Sequence, residues 1–343
     1  MTPRSEAWYH ARLAPPAPGA RLPVVIDTDA ANEIDDQFAI AWALRATERL
    51  DVRGLYAAPF SFAHRRADHP GAKADAPPFD PPGEGMERSW REIVRVRELL
   101  GLPGERDVFR GIGGYLPASG PVPSCPAVEH LVGMARAMPE GQPLYVVALG
   151  CPTNVAAALL RAPDVVDRIV VVWTAAWPSH APHANASFNF EQDPRATRVL
   201  FDSGVPLVYL PGYQVGAQLR LSRAEADAWL PRRGEIGRYL HTLFCDNPLW
   251  AVYPRPPDER YSWVIWDLIC IAWLLEPSWV PTMVVPTPGV DDELHWIHPG
   301  GRPPMREGYG VERDAIFRAL VDALPGECVS DPDFLPDQRG SPT

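Results

Sequence analysis

The sequence has a single lysine, Lys73, among 343 residues, and its formal net charge is −11. A protein that follows nucleic-acid phosphates needs clustered positive charge, and an anionic membrane surface attracts the same feature. The composition therefore argues against nucleic acid and against membranes as partners. A small neutral or cationic molecule suits the charge of this chain better.

Cysteine is also scarce, and long apolar runs are missing. The five cysteines are scattered, odd in number and without CxxC spacing, so they indicate neither a disulfide framework nor a zinc site. No apolar run approaches the length that spans a bilayer, and the start of the chain lacks the apolar region of a signal peptide. We therefore expect a cytoplasmic protein.

The composition divides the chain into a long folded region and two flanking segments. Residues 1–21 are rich in proline and alanine and predict an extended or disordered arm, while residues 326–343 predict a loose tail. In residues 22–325, apolar strand patterns alternate with helical patterns and hairpin signals are absent. This alternation predicts a single α/β domain with an open, mostly parallel sheet flanked by helices.

Aspartates are concentrated where the first predicted strand passes into a helix, in the segment VVIDTDAANEIDDQFAI of residues 24–40. Asp27 and Asp29 end the strand, and Asp35 and Asp36 begin the helix. Neighbouring carboxylates repel one another unless a cation shares them, and carboxylate oxygens are the ligands that Ca²⁺ or Mg²⁺ prefers. Helix capping is the alternative explanation, but it accounts for only one or two of these residues.

Three further segments carry polar residues next to predicted strands or helices. Thr153 lies in the turn ALGCPTN, Asn189 lies in the segment SFNFEQDP, and Asp267 follows Trp266 at the start of a buried apolar helix. Because ligands of parallel sheets bind at the carboxyl ends of the strands, the fold would bring these residues towards Asp29. For Asp267, capping the helix is the alternative to binding a ligand.

The opening VVIDTDAANEIDD, the turn ALGCPTN, the segment SFNFEQDP and the helix start WD resemble the motifs of the nucleoside hydrolase family. They occur in the same order and at comparable separations, from about Leu22 to at least Leu275. The resemblance implies an α/β fold with a Rossmann-like, mostly parallel sheet. It also implies a Ca²⁺-dependent N-ribohydrolase that cleaves the N-glycosidic bond of a nucleoside or related N-riboside, and a homo-oligomer, either a dimer or a tetramer.

The family's functional residues can be carried over to matching positions. The implied metal ligands are Asp29, Asp36, the backbone carbonyl of Thr153, and Asp267. The resemblance also makes Asp29 the general base, and it implies that Asp35 hydrogen-bonds a ribose hydroxyl. Asn189 would bind the ribose, and Asn185 in the same loop is a second candidate.

The residue types suit this chemistry independently of the resemblance. Cleavage of an N-glycosidic bond passes through an oxocarbenium-like sugar, so the site needs nearby negative charge, an activated water and a way to stabilise the departing base. Carboxylates with a metal ion meet the first two needs, because coordination lowers the pKa of water and an aspartate accepts the proton. The third need is not met by any of these residues.

The sequence departs from the family pattern at three places. Two extra residues lie between Asp29 and Asp35, with Asn32 and Glu33 inside the insertion. The position before Asp267, a histidine general acid in many members of the family, is tryptophan. This residue cannot be assigned as a proton donor, so a stacked indole of Trp266 would instead either raise the basicity of a purine or simply bind it by π contact.

The third departure is Ser187, which stands where the family has a glutamate that contacts the ribose 5′-hydroxyl. A modified sugar or a different ribosyl compound would explain the loss of this contact. The general acid also lacks an assignment, and loop histidines are weak candidates. These are His64, His69, His180 and His183.

Two alternatives to a hydrolase of N-ribosides stay open at this point. A phosphatase of the haloacid-dehalogenase type would use Asp27 as nucleophile and Asp29 as acid, but Ala31 stands where that pattern requires a hydroxyl residue. A lysine-poor, acidic chain is also a poor host for phosphate. The second alternative is a non-catalytic relative that keeps the metal site, which the departures at Trp266 and Ser187 favour.

Overall fold

The computed structural model describes residues 4–73 and 75–326. Within these ranges the strands are β1 (Leu22–Thr28), β2 (Leu50–Ala57), β3 (Val108–Arg110), β4 (Leu144–Ala148), β5 (Ile169–Ala175), β6 (Leu207–Pro211), β7 (Arg220–Ser222), β8 (Ser262–Val264), β9 (Thr282–Pro286), β10 (Gly289–Val290), β11 (Trp296–Ile297) and β12 (Pro304–Gly308). The α-helices are α1 (Glu6–Arg12), α2 (Asp35–Arg45), α3 (Pro82–Leu99), α4 (Pro126–Ala137), α5 (Thr153–Arg161), α6 (Phe188–Glu191), α7 (Pro194–Asp202), α8 (Arg223–Trp229), α9 (Gly234–Cys245), α10 (Leu268–Leu275) and α11 (Arg313–Ala323).

Eight of these strands form one sheet in the order β3-β2-β1-β4-β5-β6-β12-β9. All neighbouring pairs are parallel except β12 and β9, which are antiparallel. Alternate residues of β1 belong to different apolar cores, because Val24 and Ile26 pack with α2 and α10 while Val25 packs with α4 and α5. The sheet is therefore covered on both faces, and the predicted α/β fold with a mostly parallel sheet flanked by helices is confirmed.

The order of the strands creates a crevice between β1 and β4. The chain leaves β1 towards β2 on one side and leaves β4 towards β5 on the other, so the connections that follow the two strands diverge. In open α/β sheets, ligands bind in this crevice outside the carboxyl ends of the strands. Asp29 follows β1 here, and a Cβ atom added to Gly150, after β4, would lie 2.7 Å from the Asp29 Oδ1 atom.

The amino-terminal segment differs from the sequence-based prediction. Instead of an extended arm, residues 6–12 form α1, whose N-cap Ser5 accepts a hydrogen bond from the Trp8 backbone at 3.2 Å. Tyr9 and Leu13 are buried, and the Tyr9 hydroxyl donates to the Gly204 carbonyl at 2.9 Å. The extended conformation is therefore wrong for α1. The division of the chain at residues 22 and 325 stays a prediction, and the predicted tail lies outside the described residues from 327 onwards.

The predicted buried helix of residues 264–275 is shorter in the structure. Strand β8 ends at Val264 and α10 begins at Leu268, so Trp266 and Asp267 lie in the connection between them. Among the described residues, every helix is too short or too polar to cross a bilayer.

Docking of α1 is testable because Leu13 is fully buried. We expect Leu13→Ala to lower the free energy of unfolding by about 2–5 kcal/mol, since it removes apolar contacts and leaves a cavity. Chemical denaturation measures this loss. The matched control is Leu102→Ala, because Leu102 is 36% exposed. Equal stability of the two variants would show that α1 does not dock as described.

Candidate active site

A cavity of about 380 Å³ lies outside the carboxyl ends of the central strands. Six of the residues predicted from the sequence line it, namely Asp29, Asp35, Asp36, Asn189, Trp266 and Asp267. These residues come from three separate parts of the chain. The fold therefore brings most of the predicted site into one cavity.

Carboxylates form the floor of this cavity. Oxygens of Asp35, Asp36 and Asp267 all lie within 4.8 Å of one another. Asp29 is 1% exposed, and one of its oxygens accepts a hydrogen bond from the Asn32 amide at 3.1 Å. Thr28 donates to Asp36 from the end of β1. Side-chain hydrogen bonds therefore hold two of the four aspartates, Asp29 and Asp36.

Helix capping does not explain these aspartates. The N-cap residue of α2 is Ile34, which makes no side-chain hydrogen bond, so Asp35 and Asp36 lie inside the helix. Asp267 occupies the N-cap position of α10, but its side chain makes no capping hydrogen bond. The carboxylates are thus available to a ligand.

Burial and mutual repulsion raise the pKa values of the floor carboxyls. Burial is the larger cause at Asp29, Asp35 and Asp267, whose pKa values lie well above the usual range, and neighbouring carboxylates add to it. Burial also raises the pKa of Asp36 to about 6, although the hydrogen bond from Thr28 opposes the shift.

The floor lacks a positive partner. Among the ion pairs of the described residues, none involves Asp29, Asp35, Asp36 or Asp267. Buried carboxylates without a basic partner must bind protons or a cation. A donor set made only of oxygens, with several carboxylates, is the kind that Ca²⁺ or Mg²⁺ prefers. The residues therefore fit the divalent cation implied by the resemblance.

Thr153 does not line the cavity, although it lies close to the floor. The residue begins α5, it is fully buried, and its hydroxyl donates to Asp193 at 2.7 Å. The turn before it contacts Asp29 through Gly150, where a side chain would collide with the carboxylate. A role for the Thr153 carbonyl as a metal ligand stays a prediction.

The two asparagines of the loop after β5 have different surroundings. The Asn189 amide nitrogen donates to the carbonyls of Leu149 and Thr174, which leaves its side-chain oxygen as an acceptor in the cavity wall. Asn185 is fully buried outside the cavity lining, where it accepts from the Trp177 backbone and donates to the Leu294 carbonyl at 2.8 Å. Asn185 therefore holds a loop in this structure, and a role for it in binding the ribose stays a prediction.

Asp27 also lies outside the cavity lining. It is 1% exposed, and its Oδ1 atom accepts a hydrogen bond from the Asn154 amide at 2.7 Å. A phosphatase nucleophile has to face its substrate, and Asp27 does not. This geometry argues against the haloacid-dehalogenase alternative.

Aromatic side chains form the walls, and most of them escaped the sequence analysis. The lining aromatics are Phe62, Phe188, Tyr213, Tyr253, Trp263 and Trp266. The rings of Phe62 and Phe188 lie 4.3 Å apart, and Trp266 contacts Tyr213 edge-on at 6.1 Å. Arg65 lines the cavity too and pairs with Glu191. Phe62 and Arg65 come from the long connection after β2. The length of this connection was the only feature of the sequence that indicated a functional role for it.

Two departures from the family pattern have clear structural consequences. Ser187 lines the cavity, and its hydroxyl accepts a hydrogen bond from the Ala176 backbone at 2.9 Å. Glu33, from the insertion, also lines the cavity and accepts a hydrogen bond from the Trp263 indole. Burial raises the pKa of Glu33 to about 7, against the opposing effect of that bond.

None of the histidines considered as general acids lines this cavity. His64 bonds Glu191 at 2.8 Å, and the ring of His69 packs edge-on against Tyr253. His180 and His183 are exposed. The candidate acids from the sequence analysis are therefore not supported by their positions.

The sequence also matches characterised proteins. The profile of the family described as "Inosine-uridine preferring nucleoside hydrolase" matches residues 82–311. The pyrimidine-specific ribonucleoside hydrolase RihA of Salmonella paratyphi B is 26% identical over 323 residues, with 88% of this chain and 98% of that protein covered. The non-specific ribonucleoside hydrolase RihC of Shigella flexneri is 27% identical over 272 residues, with 75% and 80% covered.

A solved structure agrees with this fold. The purine-preferring ribonucleoside hydrolase from Gardnerella vaginalis superimposes with a TM-score of 0.66 at 19% identity, covering 89% of this chain and 98% of that one. The low identities to all three proteins are those of a divergent member. Since the family profile spans more than half of the chain, the protein belongs to the inosine-uridine preferring nucleoside hydrolase family, whose members act on N-glycosyl compounds.

Proposed function

We propose that this enzyme hydrolyses the N-glycosidic bond of a ribonucleoside or related N-riboside with the help of a Ca²⁺ ion. The ion would be held by Asp29, Asp36, Asp267 and the backbone carbonyl of Thr153. The observation that carries the proposal is the floor of four buried aspartates, which has no basic partner among the described ion pairs. Such a floor is stable at neutral pH only with bound protons or a cation.

The donor set favours a hard cation over a transition metal. Carboxylate and carbonyl oxygens suit Ca²⁺ and Mg²⁺, whereas zinc sites draw on cysteine and histidine. The described lining residues include neither of those two types. When bound, the cation supplies a Lewis acid that lowers the pKa of a coordinated water and offers coordination to vicinal hydroxyls.

Asp29 is the residue best placed to accept a proton from the attacking water. It lies at the crevice between β1 and β4, and its carboxylate is fixed between the Asn32 amide and the backbone at Gly150. A carboxylate held in this way can take a proton without rearranging, which is the requirement for a general base.

Asp35 and Asn189 offer acceptors for the sugar. Asp35 lies beside Asp36 at the floor, so its carboxylate can accept a hydrogen bond from a ribose hydroxyl. The side-chain oxygen of Asn189 is a second acceptor in the cavity lining, because its amide nitrogen is committed to two backbone carbonyls. A sugar between them would lie over the negative charge that stabilises an oxocarbenium-like transition state.

The base would lie among the aromatic walls, with Trp266 as a stacking surface. Such rings bind any flat heterocycle, so they do not by themselves select one base. The similar proteins named above are pyrimidine-specific, non-specific and purine-preferring. The base preference of this enzyme therefore depends on its own walls. Assembly as a dimer or tetramer, and a cytoplasmic location, stay predictions.

Asp29→Asn tests the role of Asp29. We expect kcat/KM for nucleosides to fall by about 10²–10⁴-fold, because an amide cannot accept the proton of water. Release of free base and of reducing sugar from a panel of purine and pyrimidine nucleosides with Ca²⁺ measures the change. Asp322→Asn, at a 69% exposed side chain near the end of α11, is the matched control.

Three outcomes of that assay would contradict the proposal. Full activity of Asp29→Asn would remove the residue from catalysis. Phosphate release from an aryl phosphate would revive the phosphatase alternative. Tight Ca²⁺ binding by a wild-type protein that turns over no nucleoside would identify a non-catalytic relative.

Asp267→Asn tests the cation site independently of turnover. For the chelator-treated wild-type enzyme, Ca²⁺ at 100 times its dissociation constant should stabilise the fold by about 2.7 kcal/mol, because the ion binds only the folded state. We expect Asp267→Asn to lose most of this effect, as measured by thermal unfolding and by calorimetric titration with Ca²⁺. Unchanged affinity would remove Asp267 from the ligand set.

A further inference from the structure

Cleavage of a nucleoside leaves electrons on the base, and a neutral base departs only when a proton reaches it. The family's usual histidine at this step is replaced by Trp266, whose indole has no transferable proton near neutral pH. None of the described lining residues is a histidine. Either solvent or another group of the cavity wall must therefore supply the proton.

The insertion between β1 and α2 supplies a carboxyl group in this wall. Glu33 lines the cavity and is partly buried. Its carboxyl accepts a hydrogen bond from the indole of Trp263, and the nearby indole of Trp266 also favours its charged form. The carboxyl thus lies against the side chain that has replaced the histidine.

The insertion holds Glu33 in a fixed position. Ala30 and Ile34, on either side of it, are fully buried, and the backbone of Asn32 donates to the Asp29 carbonyl at 2.7 Å. Gln37 donates to the Ala30 carbonyl from the first turn of α2. The carboxyl is therefore preorganised at the wall, as a catalytic group requires.

We infer that Glu33 is the general acid that protonates the departing base, a role that rests on the proposed hydrolysis of N-ribosides. Glu33 is the one lining carboxyl outside the floor group, since the other four are Asp29, Asp35, Asp36 and Asp267. Burial raises the pKa of Glu33 and favours its protonated form against the opposing effect of the two indoles, and burial of this kind keeps a glutamic acid ready to donate.

The tyrosines of the lining are weaker donors. The Tyr213 hydroxyl already donates to the Ala186 carbonyl at 3.1 Å, and burial raises its pKa. Burial also raises the pKa of Tyr253, so both phenols hold their protons more tightly than usual. A donor whose pKa lies far above the operating pH transfers its proton poorly to a base.

The proton balance of the step is complete. The bond between the sugar C1′ and the base nitrogen breaks, and its electron pair goes to the base, which takes the proton of the Glu33 carboxyl. The water oxygen forms a bond to C1′, and Asp29 accepts the water proton. Proton exchange with solvent returns Glu33 to its acid form and Asp29 to its carboxylate. The net reaction consumes one water and yields ribose and the neutral base.

A substrate whose leaving group needs no proton distinguishes a general acid from a residue that only supports the cavity wall. 4-Nitrophenyl β-D-ribofuranoside releases a nitrophenolate that is stable as an anion, so its hydrolysis does not depend on a general acid. We expect Glu33→Gln to lower kcat for nucleosides by about 10²–10⁴-fold, with hydrolysis of the nitrophenyl riboside nearly unchanged. The matched control is Glu48→Gln, at an exposed glutamate between α2 and β2.

The other outcomes each overturn the assignment. Equal loss of both activities would show that Glu33 only supports the cavity wall, and equal retention would show that it has no role. If Tyr253→Phe, and not Glu33→Gln, lost nucleoside hydrolysis while keeping hydrolysis of the nitrophenyl riboside, Tyr253 would be the proton donor. A wild-type enzyme that cleaves no nucleoside would reject the proposed function itself, and with it the role of Glu33.

Discussion

The structure depends on keeping four carboxylates together where they repel one another. Each is buried, and taking a charge of this kind out of water costs several kcal/mol unless a partner compensates it. Asp29 is fixed to the end of β1, while Asp36 and Asp267 belong to the starts of α2 and α10, which pack together beneath the sheet. The packed core therefore resists the repulsion that would otherwise separate these residues. A bound cation converts this unfavourable arrangement into an interaction that joins the three elements.

Much of this arrangement could be predicted from sequence, because strand and helix patterns locate the ends of strands. Asp29, Asp36, Asn189 and Asp267 are each recognisable by a local motif, and the rule for parallel sheets predicts that such motifs meet. The parts of the site that escaped prediction come from segments without periodicity. Arg65 and Tyr253 lie in irregular loops, and only the folded chain shows that they reach the cavity. Strand β12 escaped prediction because its sequence PMREG has no apolar run and its partner β6 is distant in the chain.

Two pairs of neighbouring residues show what local sequence cannot decide. Asn185 and Asn189 have the same side chain in the same loop, but backbone groups of the Leu294 segment capture only the first. Asp27 and Asp29 would share a face if β1 continued, yet the chain turns after Thr28. As a result Asp27 is buried and bonds to Asn154, while Asp29 lines the cavity. In both cases, a distant contact separates residues that look equivalent in sequence.

The two departures at the insertion and at Trp266 are best understood together. In the shorter DxDxxxDD connection, three residues join the strand to the helix; here five residues separate Asp29 from Asp35. The longer connection keeps its ends buried at Ala30 and Ile34, so its middle residues must turn outwards. Asn32 turns to Asp29, and Glu33 turns to the indoles. The indole of Trp263 donates to this carboxyl, and Trp266 lines the same cavity. Both departures therefore change the lining of one cavity, because Glu33 and Trp266 both belong to it.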